Sequence, residues 1–342
     1  MSTSGNNVVP LPGVHVRANV RRPALDPERA AALRDALRGL RHEIEERFEP
    51  APDVAGSRRD EAFDWMQLFD ELRHRLGTLG MIERSGEVDE FGLDAVALLR
   101  ARTLLDFLVD RYWRVDLHGE ESLPEHGPVL FVANRSGLLP WDGLAFAHRF
   151  LRVRPQWPRT RFLVADWLIT LPFAQPTLAR LGGVRACREN TDRLLSRGKS
   201  VLAFPEGVKG AAKVFRERYR LQRFGRGGAV RAAIENRVPL VPVGIVGAEE
   251  AHPVLVKSRT GGRLLGIPFV PITPTFPLLG PLGAVPLPTK WSIEVGEPLA
   301  LDEVGPEASE DELLVSRLNE ELRDRIRDLV SQGLSRRESV WG

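Results

Sequence analysis

The chain has one cysteine, Cys187, among 342 residues. That excludes an intrachain disulfide and any paired-thiolate metal site, and it suits a reducing compartment. No H-E-x-x-H pair is present, so no metal site is expected. A G-x-S-x-G nucleophile elbow is also missing, which removes the usual serine-hydrolase reading. Gly198-Lys199-Ser200 ends like a phosphate-binding loop, but Arg193 stands where such a loop needs its first glycine, and a strand follows rather than precedes it. Charge of one sign is lacking too. The net charge is only +2, so no global field calls for a nucleic-acid partner. No apolar run follows an N-terminal basic patch, so no secretory signal is expected and the expected location is cytoplasmic.

Residues 264–289 carry no charged side chain and are long enough on paper to cross a bilayer. They also contain Pro268, Pro271, Pro274, Pro277, Pro281, Pro286 and Pro288. Each proline removes a backbone donor, so no continuous helix forms, and irregular backbone cannot cross hydrocarbon unsatisfied. The stretch reads as an apolar loop, either packed on the protein's own core or dipping into a membrane face. In the second case Phe269, Ile272, Phe276, Leu278 and Leu279 make the membrane contact.

Along the chain, residues 1–24 read as disordered or loosely attached, and 25–116 as a helical region. Asp26 and Pro27 start one helix, with Leu33, Leu37, Leu40, Ile44 and Phe48 on one face. Trp65, Leu68, Phe69, Leu72 and Leu76 mark a second helix, and a third runs from about Leu93 to Trp113. From residue 117 short apolar runs alternate with helical patterns. Val129–Ala133, Arg161–Ala165, Ser200–Phe204 and Leu240–Val246 read as buried strands, with helices near 142–152, 190–198 and 226–236 between them. This alternation predicts an open α/β sheet with functional loops at strand ends, over 117–300. Residues 301–342 close it with a helix starting at Ser309, where Glu312 completes a capping box.

Chemistry concentrates in four ordered blocks: Val129–Gly143, Leu181–Asn190, Phe204–Gly210 and Val238–Gly247. The third, Phe204-Pro205-Glu206-Gly207-Val208-Lys209-Gly210, sets a carboxylate and then a cation on a sharp turn after a strand. Lys209 suits a phosphate as a point charge, and Glu206 suits orienting it or bonding a substrate hydroxyl. Downstream, Lys213, Arg216, Arg218, Arg220, Arg223 and Arg226 crowd around a single acid, Glu217. Such a run fits phosphate headgroups or an anionic membrane surface, or else a plain solvated face. Isolated histidines such as His118 and His252 read as surface or packing residues.

In order and strand context, the four blocks resemble the motifs of the lysophospholipid (1-acylglycerol-3-phosphate type) acyltransferase family, over roughly residues 117–300. The sharpest match is Phe204-Pro205-Glu206-Gly207. The resemblance implies an open mixed sheet flanked by helices, transfer of an acyl group from acyl-CoA or acyl carrier protein to a lysophospholipid-like acceptor, and action at the inner membrane surface without a bound cofactor. It maps Arg188, Lys209 and Gly207 to binding of the acceptor phosphate, and Asp142, Glu206 and position 135 to the catalytic centre.

Position 135 departs from the family. The motif there is a histidine, four residues and an aspartate, in which the imidazole takes the acceptor proton. Arg135 occupies the histidine's place, six residues separate it from Asp142, and none of the seven histidines has an aspartate five positions on. A guanidinium stays protonated and cannot act as a base near neutral pH. The expectation is an Arg135–Asp142 ion pair that preserves the turn. Asp142 or His148 remain as candidate bases, although His148 lies about 240° around the helix from Asp142. Three activities stay open: acyl transfer, silent lipid or acyl binding, and thioester hydrolysis.

Overall fold

The computed structural model describes residues 88–169, 174–280, 283, 285–301 and 304–341. The segment 1–24 and the expected helices around 26–48 and 65–76 lie outside the described residues. The third expected helix is α1 (Ala95–Asp106), capped by the Asp94 carboxylate, which accepts from the Val96 and Ala97 amides. It continues as a π-helical stretch, Phe107–Tyr112.

The chain then runs through β1 (Asp116–His118), β2 (Leu130–Ala133), α2 (Trp141–Val153), β3 (Arg161–Val164), α3 (Asp166–Ile169), α4 (Ala174–Arg180), β4 (Gly183–Arg185) and α5 (Arg188–Ser196). It continues through β5 (Val201–Ala203), α6 (Gly207–Ala211), α7 (Gly228–Asn236), β6 (Leu240–Val246), α8 (Ala248–Ala251), β7 (Val256–Ser258), α9 (Arg259–Leu265), β8 (Val270–Ile272), β9 (Ser292–Val295) and α10 (Glu312–Arg336).

One sheet has the order β1-β9-β6-β2-β5-β3-β4. From β6 to β4 the strands are all parallel, β9 runs antiparallel to β6, and β1 runs parallel to β9. The sheet is therefore mixed and open. Side-chain alternation divides the core. Phe131, Val241, Val243 and Ile245 pack with Leu105, Phe146 and Trp291 on one face. Leu130, Val132 and Leu240 pack with Leu194, Val230, Leu322 and Ile326 on the other. All of β6 is buried, which is why it reads as a continuous apolar run rather than an alternating one.

Two expectations are corrected here. The closing helix begins at Glu312, and its cap is Asp311, whose carboxylate accepts from the Leu313 and Leu314 amides at 2.9 and 3.1 Å. Ser309 lies in the preceding 3-10 turn. The apolar stretch is also not one loop. It contains the end of α9 and all of β8, which pairs antiparallel with β7. Phe269 is only 2% exposed, because α9 folds over it: a Cβ at Gly262 would stand 2.6 Å from the Phe269 Cα. Phe269 is therefore not a membrane contact. Phe276 is half-buried, while Leu278 and Leu279 are exposed as expected.

Candidate active site

The parallel strands β2, β4, β5 and β6 deliver their following loops to one sheet edge, where open α/β sheets place ligands. After β2, Asn134 continues the ladder with its side chain. Its amide donates to the Ile245 carbonyl at 2.9 Å and its oxygen accepts from the Ile245 amide at 2.7 Å. This pairing sets where residue 135 leaves the sheet.

Arg135 is buried, and its Nη1 donates to Asp142 Oδ1 at 2.5 Å. The expected ion pair is present. Asp142, fully buried in the first turn of α2, also accepts from the Ser136 amide at 3.0 Å, the Ser136 hydroxyl at 2.9 Å and the Gly143 amide at 2.8 Å. Burying this carboxylate is tolerable because it is paired and hydrogen-bonded on both oxygens. The same saturation leaves it poorly placed to accept a proton from a substrate. The Arg135 guanidinium lies 4.9 Å from the Phe204 ring centroid, which steadies it from the β5 side.

Glu206 ties the second loop to the first. Its Oε1 accepts from the Arg135 amide at 2.7 Å and its Oε2 from the Gln222 amide at 2.7 Å. Lys213 Nζ stands 3.4 Å from Glu206 and 2.7 Å from Glu249, and Glu249 also accepts from the Tyr219 amide at 2.9 Å. Burial pushes the Glu249 carboxyl above its ordinary range, partly countered by Lys213. Gly210 makes this junction possible. A Cβ there would meet Glu206 Cβ at 2.5 Å and Arg135 Cβ at 2.8 Å.

The loops enclose a cavity of about 460 Å³ whose lining includes Arg135, Leu163, Trp167, Arg188, Val208 and Ala232. Arg135, Asp142 and Glu206 are thus brought together, and Arg188 and Gly207 border the same cavity. Arg188 is not free there: its Nη2 is 2.7 Å from both oxygens of Glu235. Lys209 departs from the expectation. It lies across α6, in a second pocket with Lys257 and Arg259, because adjacent positions on this short helix face different sides. His148 is excluded as the base. It is buried against Asp106 at 2.8 Å, and burial holds its pKa below the ordinary value, with Asp106 opposing that shift.

Sequence reasoning missed Lys213, which it placed in a surface cluster, and also Glu249 and Asn134. The signal for Glu249 was present: Glu249 and Glu250 follow an unbroken buried strand almost directly.

A family model described as Acyltransferase matches residues 114–246. An uncharacterized protein of Mycobacterium tuberculosis is 40% identical, over 74% of this chain and 71% of its own length. A Gallus gallus protein described as "DGAT1/2-independent enzyme synthesizing storage lipids" is 28% identical, over 59% of this chain and 58% of its own. The crystal structure of the 1-acyl-sn-glycerophosphate (LPA) acyltransferase PlsC from Thermotoga maritima is 16% identical with a TM-score of 0.45, covering 80% of this chain and 94% of that one. The chain belongs to the acyltransferase family.

Proposed function

We propose that the protein moves a fatty acyl group from an acyl thioester, acyl-CoA or acyl carrier protein, to a hydroxyl of a lysophospholipid-like acceptor at a membrane surface. The observation that carries this reading is Arg135, held by Asp142 and Glu206 and itself lining a cavity whose walls are largely apolar side chains, with further arginines at its border. Such a cavity suits an acyl chain, and the cationic border suits phosphate.

In this reading the acceptor oxygen attacks the thioester carbonyl carbon, and the Arg135 guanidinium stabilises the oxyanion that develops. The C–S bond then breaks, the ester remains, and the hydroxyl proton ends on the leaving thiol by way of solvent. Neither Asp142 nor Glu206 has an oxygen free of donors to carry that proton. Without a positioned base the step is slower by about 10²- to 10⁴-fold than one with a base. Lipid acceptors reside in bilayers, so the protein works at their surface. Among the described residues no helix is long and apolar enough to cross a membrane.

The saturation of Asp142 favours a second reading, in which the protein binds acyl or lipid ligands without turning them over. Incubation with acyl-CoA, with and without lysophospholipid, separates the possibilities. Free CoA formed in step with a new ester supports transfer. CoA released equally without acceptor indicates hydrolysis, and acyl-CoA retained intact but bound indicates a silent member.

A further inference from the structure

We propose that the β7–β8 hairpin and the loop that follows it are the docking surface for an anionic bilayer. The proposal rests on the membrane-surface reading above and names the face that makes contact. Leu255 and Val256 at the start of the hairpin are 54% and 56% exposed, and Ile272, paired opposite Val256, is exposed as well. Leu278 and Leu279 at the tip of the loop are 88% and 53% exposed. Single exposed aliphatics mean little, but a group of them on one hairpin and its loop marks an interaction surface.

The backbone of this loop is prepared for an apolar environment. Pro274 and Pro277 have no amide proton. The amides of Thr275 and Phe276 donate to the Thr273 hydroxyl at 3.3 and 2.9 Å. Those of Leu279 and Gly280 donate to the carbonyls of Thr275 and Pro277, each at 2.8 Å, and Thr273 donates to Phe276 at 2.9 Å. Irregular backbone enters lipid only at great cost unless its polar groups find partners, and here the amides of Thr273, Thr275, Phe276, Leu279 and Gly280 find theirs within the loop.

The charges carried by this segment of the chain have one sign. No acidic residue lies between Glu250 and Glu294, while Lys257, Arg259 and Arg263 lie on the hairpin and its connecting helix α9. Arg259 and Arg263 are exposed and make no ion pair among the described residues. Lys257, whose Nζ donates to the Ala212 carbonyl at 2.9 Å, lines a pocket of about 330 Å³ with Arg259, Lys209 and one carboxylate, Glu217, from the 3-10 turn Phe215–Glu217. Exposed aliphatics on the hairpin and loop, together with Arg259 and Arg263 on the connecting helix, fit a membrane in which lipid phosphates meet the cations and acyl chains receive the leucines. The arrangement also relates the membrane to the reaction. Val208 of α6 lines both this pocket and the catalytic cavity, so one short helix separates docked headgroups from Arg135.

The test is co-sedimentation of the full chain with phosphatidylglycerol vesicles and with pure phosphatidylcholine vesicles. The wild type is expected to bind the former and to release from them at high salt. Leu278→Ser with Leu279→Ser should weaken partition by at least about tenfold, from lost apolar burial. Arg259→Gln with Arg263→Gln should weaken it about fivefold per side chain on phosphatidylglycerol and leave phosphatidylcholine unaffected. Both variants should retain wild-type acyl transfer to a short-chain acceptor dissolved below its micelle concentration, which also shows that they fold. If wild type ignores phosphatidylglycerol, or if both variants bind as it does, this docking surface is refuted. Vesicle binding without transfer to the dissolved acceptor would instead count against the acyltransferase reading and leave the surface standing.

Discussion

The turn after β2 and the hairpin after β6 are built on opposite rules. Around Arg135 and Asp142 every charge has a partner: the guanidinium meets a carboxylate, that carboxylate meets further donors, and Glu206 and Lys213 extend the network to Glu249. Around Leu278 and Arg259 the cations Arg259 and Arg263 make no ion pair among the described residues, and the aliphatic side chains are exposed. The first arrangement fixes geometry, because removing any member strands a buried charge. The second leaves its affinities unspent for a partner. Substitutions should therefore cost stability in the turn, and cost binding without stability in the hairpin.

The largest effect is expected at Asp142. Asp142→Ala strands the Arg135 guanidinium and the Ser136 and Gly143 donors, and should cost about 3–5 kcal/mol in urea unfolding. A cost below about 1 kcal/mol would show that the pair is solvated and the network loose. Next comes Gly210→Ala, which forces a methyl against Glu206 and Arg135. It should cost about 1–3 kcal/mol and reduce acyl transfer as well, since both neighbours belong to the site. An unchanged midpoint and unchanged activity would show that α6 moves aside freely.

His148→Asn is expected to have the smallest effect, about 1 kcal/mol from the lost bond to Asp106, with turnover within about twofold of wild type. Its pH signature has a definite sign. Burial lowers the folded-state pKa of His148, so the unfolded chain binds the proton more readily. The wild type should lose stability as pH falls below the unfolded value of about 6.5, and His148→Asn should lose less over the same range. Equal acid sensitivity of the two proteins would assign the effect to other groups.

The same contrast explains how much could be read from the chain. Strands β2, β5 and β6 were legible because burial on both faces writes them as continuous apolar runs, and Arg135 and Asp142 because they sit in a strand–turn–helix frame with recognisable ends. Strands β1, β4 and β9, three or four residues long, were not legible, since a run that short has no period of its own. Lys213 was taken for a surface cation because its partner Glu249 lies 36 positions away, a distance over which only the folded sheet edge acts. Phe269 was taken for a membrane contact because its cover, α9, depends on a close approach at Gly262 that apolar composition does not reveal.

The central claim is that Arg135 contributes charge and no residue in the site carries the proton. The pH dependence of kcat/KM for acyl transfer to lysophosphatidylglycerol tests it most directly, because the acceptor's phosphodiester does not titrate near neutrality. A site without a base predicts a logarithmic rate that runs through about pH 6.5 without a break, and a new titration limb there in Arg135→His. A sigmoidal step near that pH in the wild type would show an imidazole at work and contradict the claim.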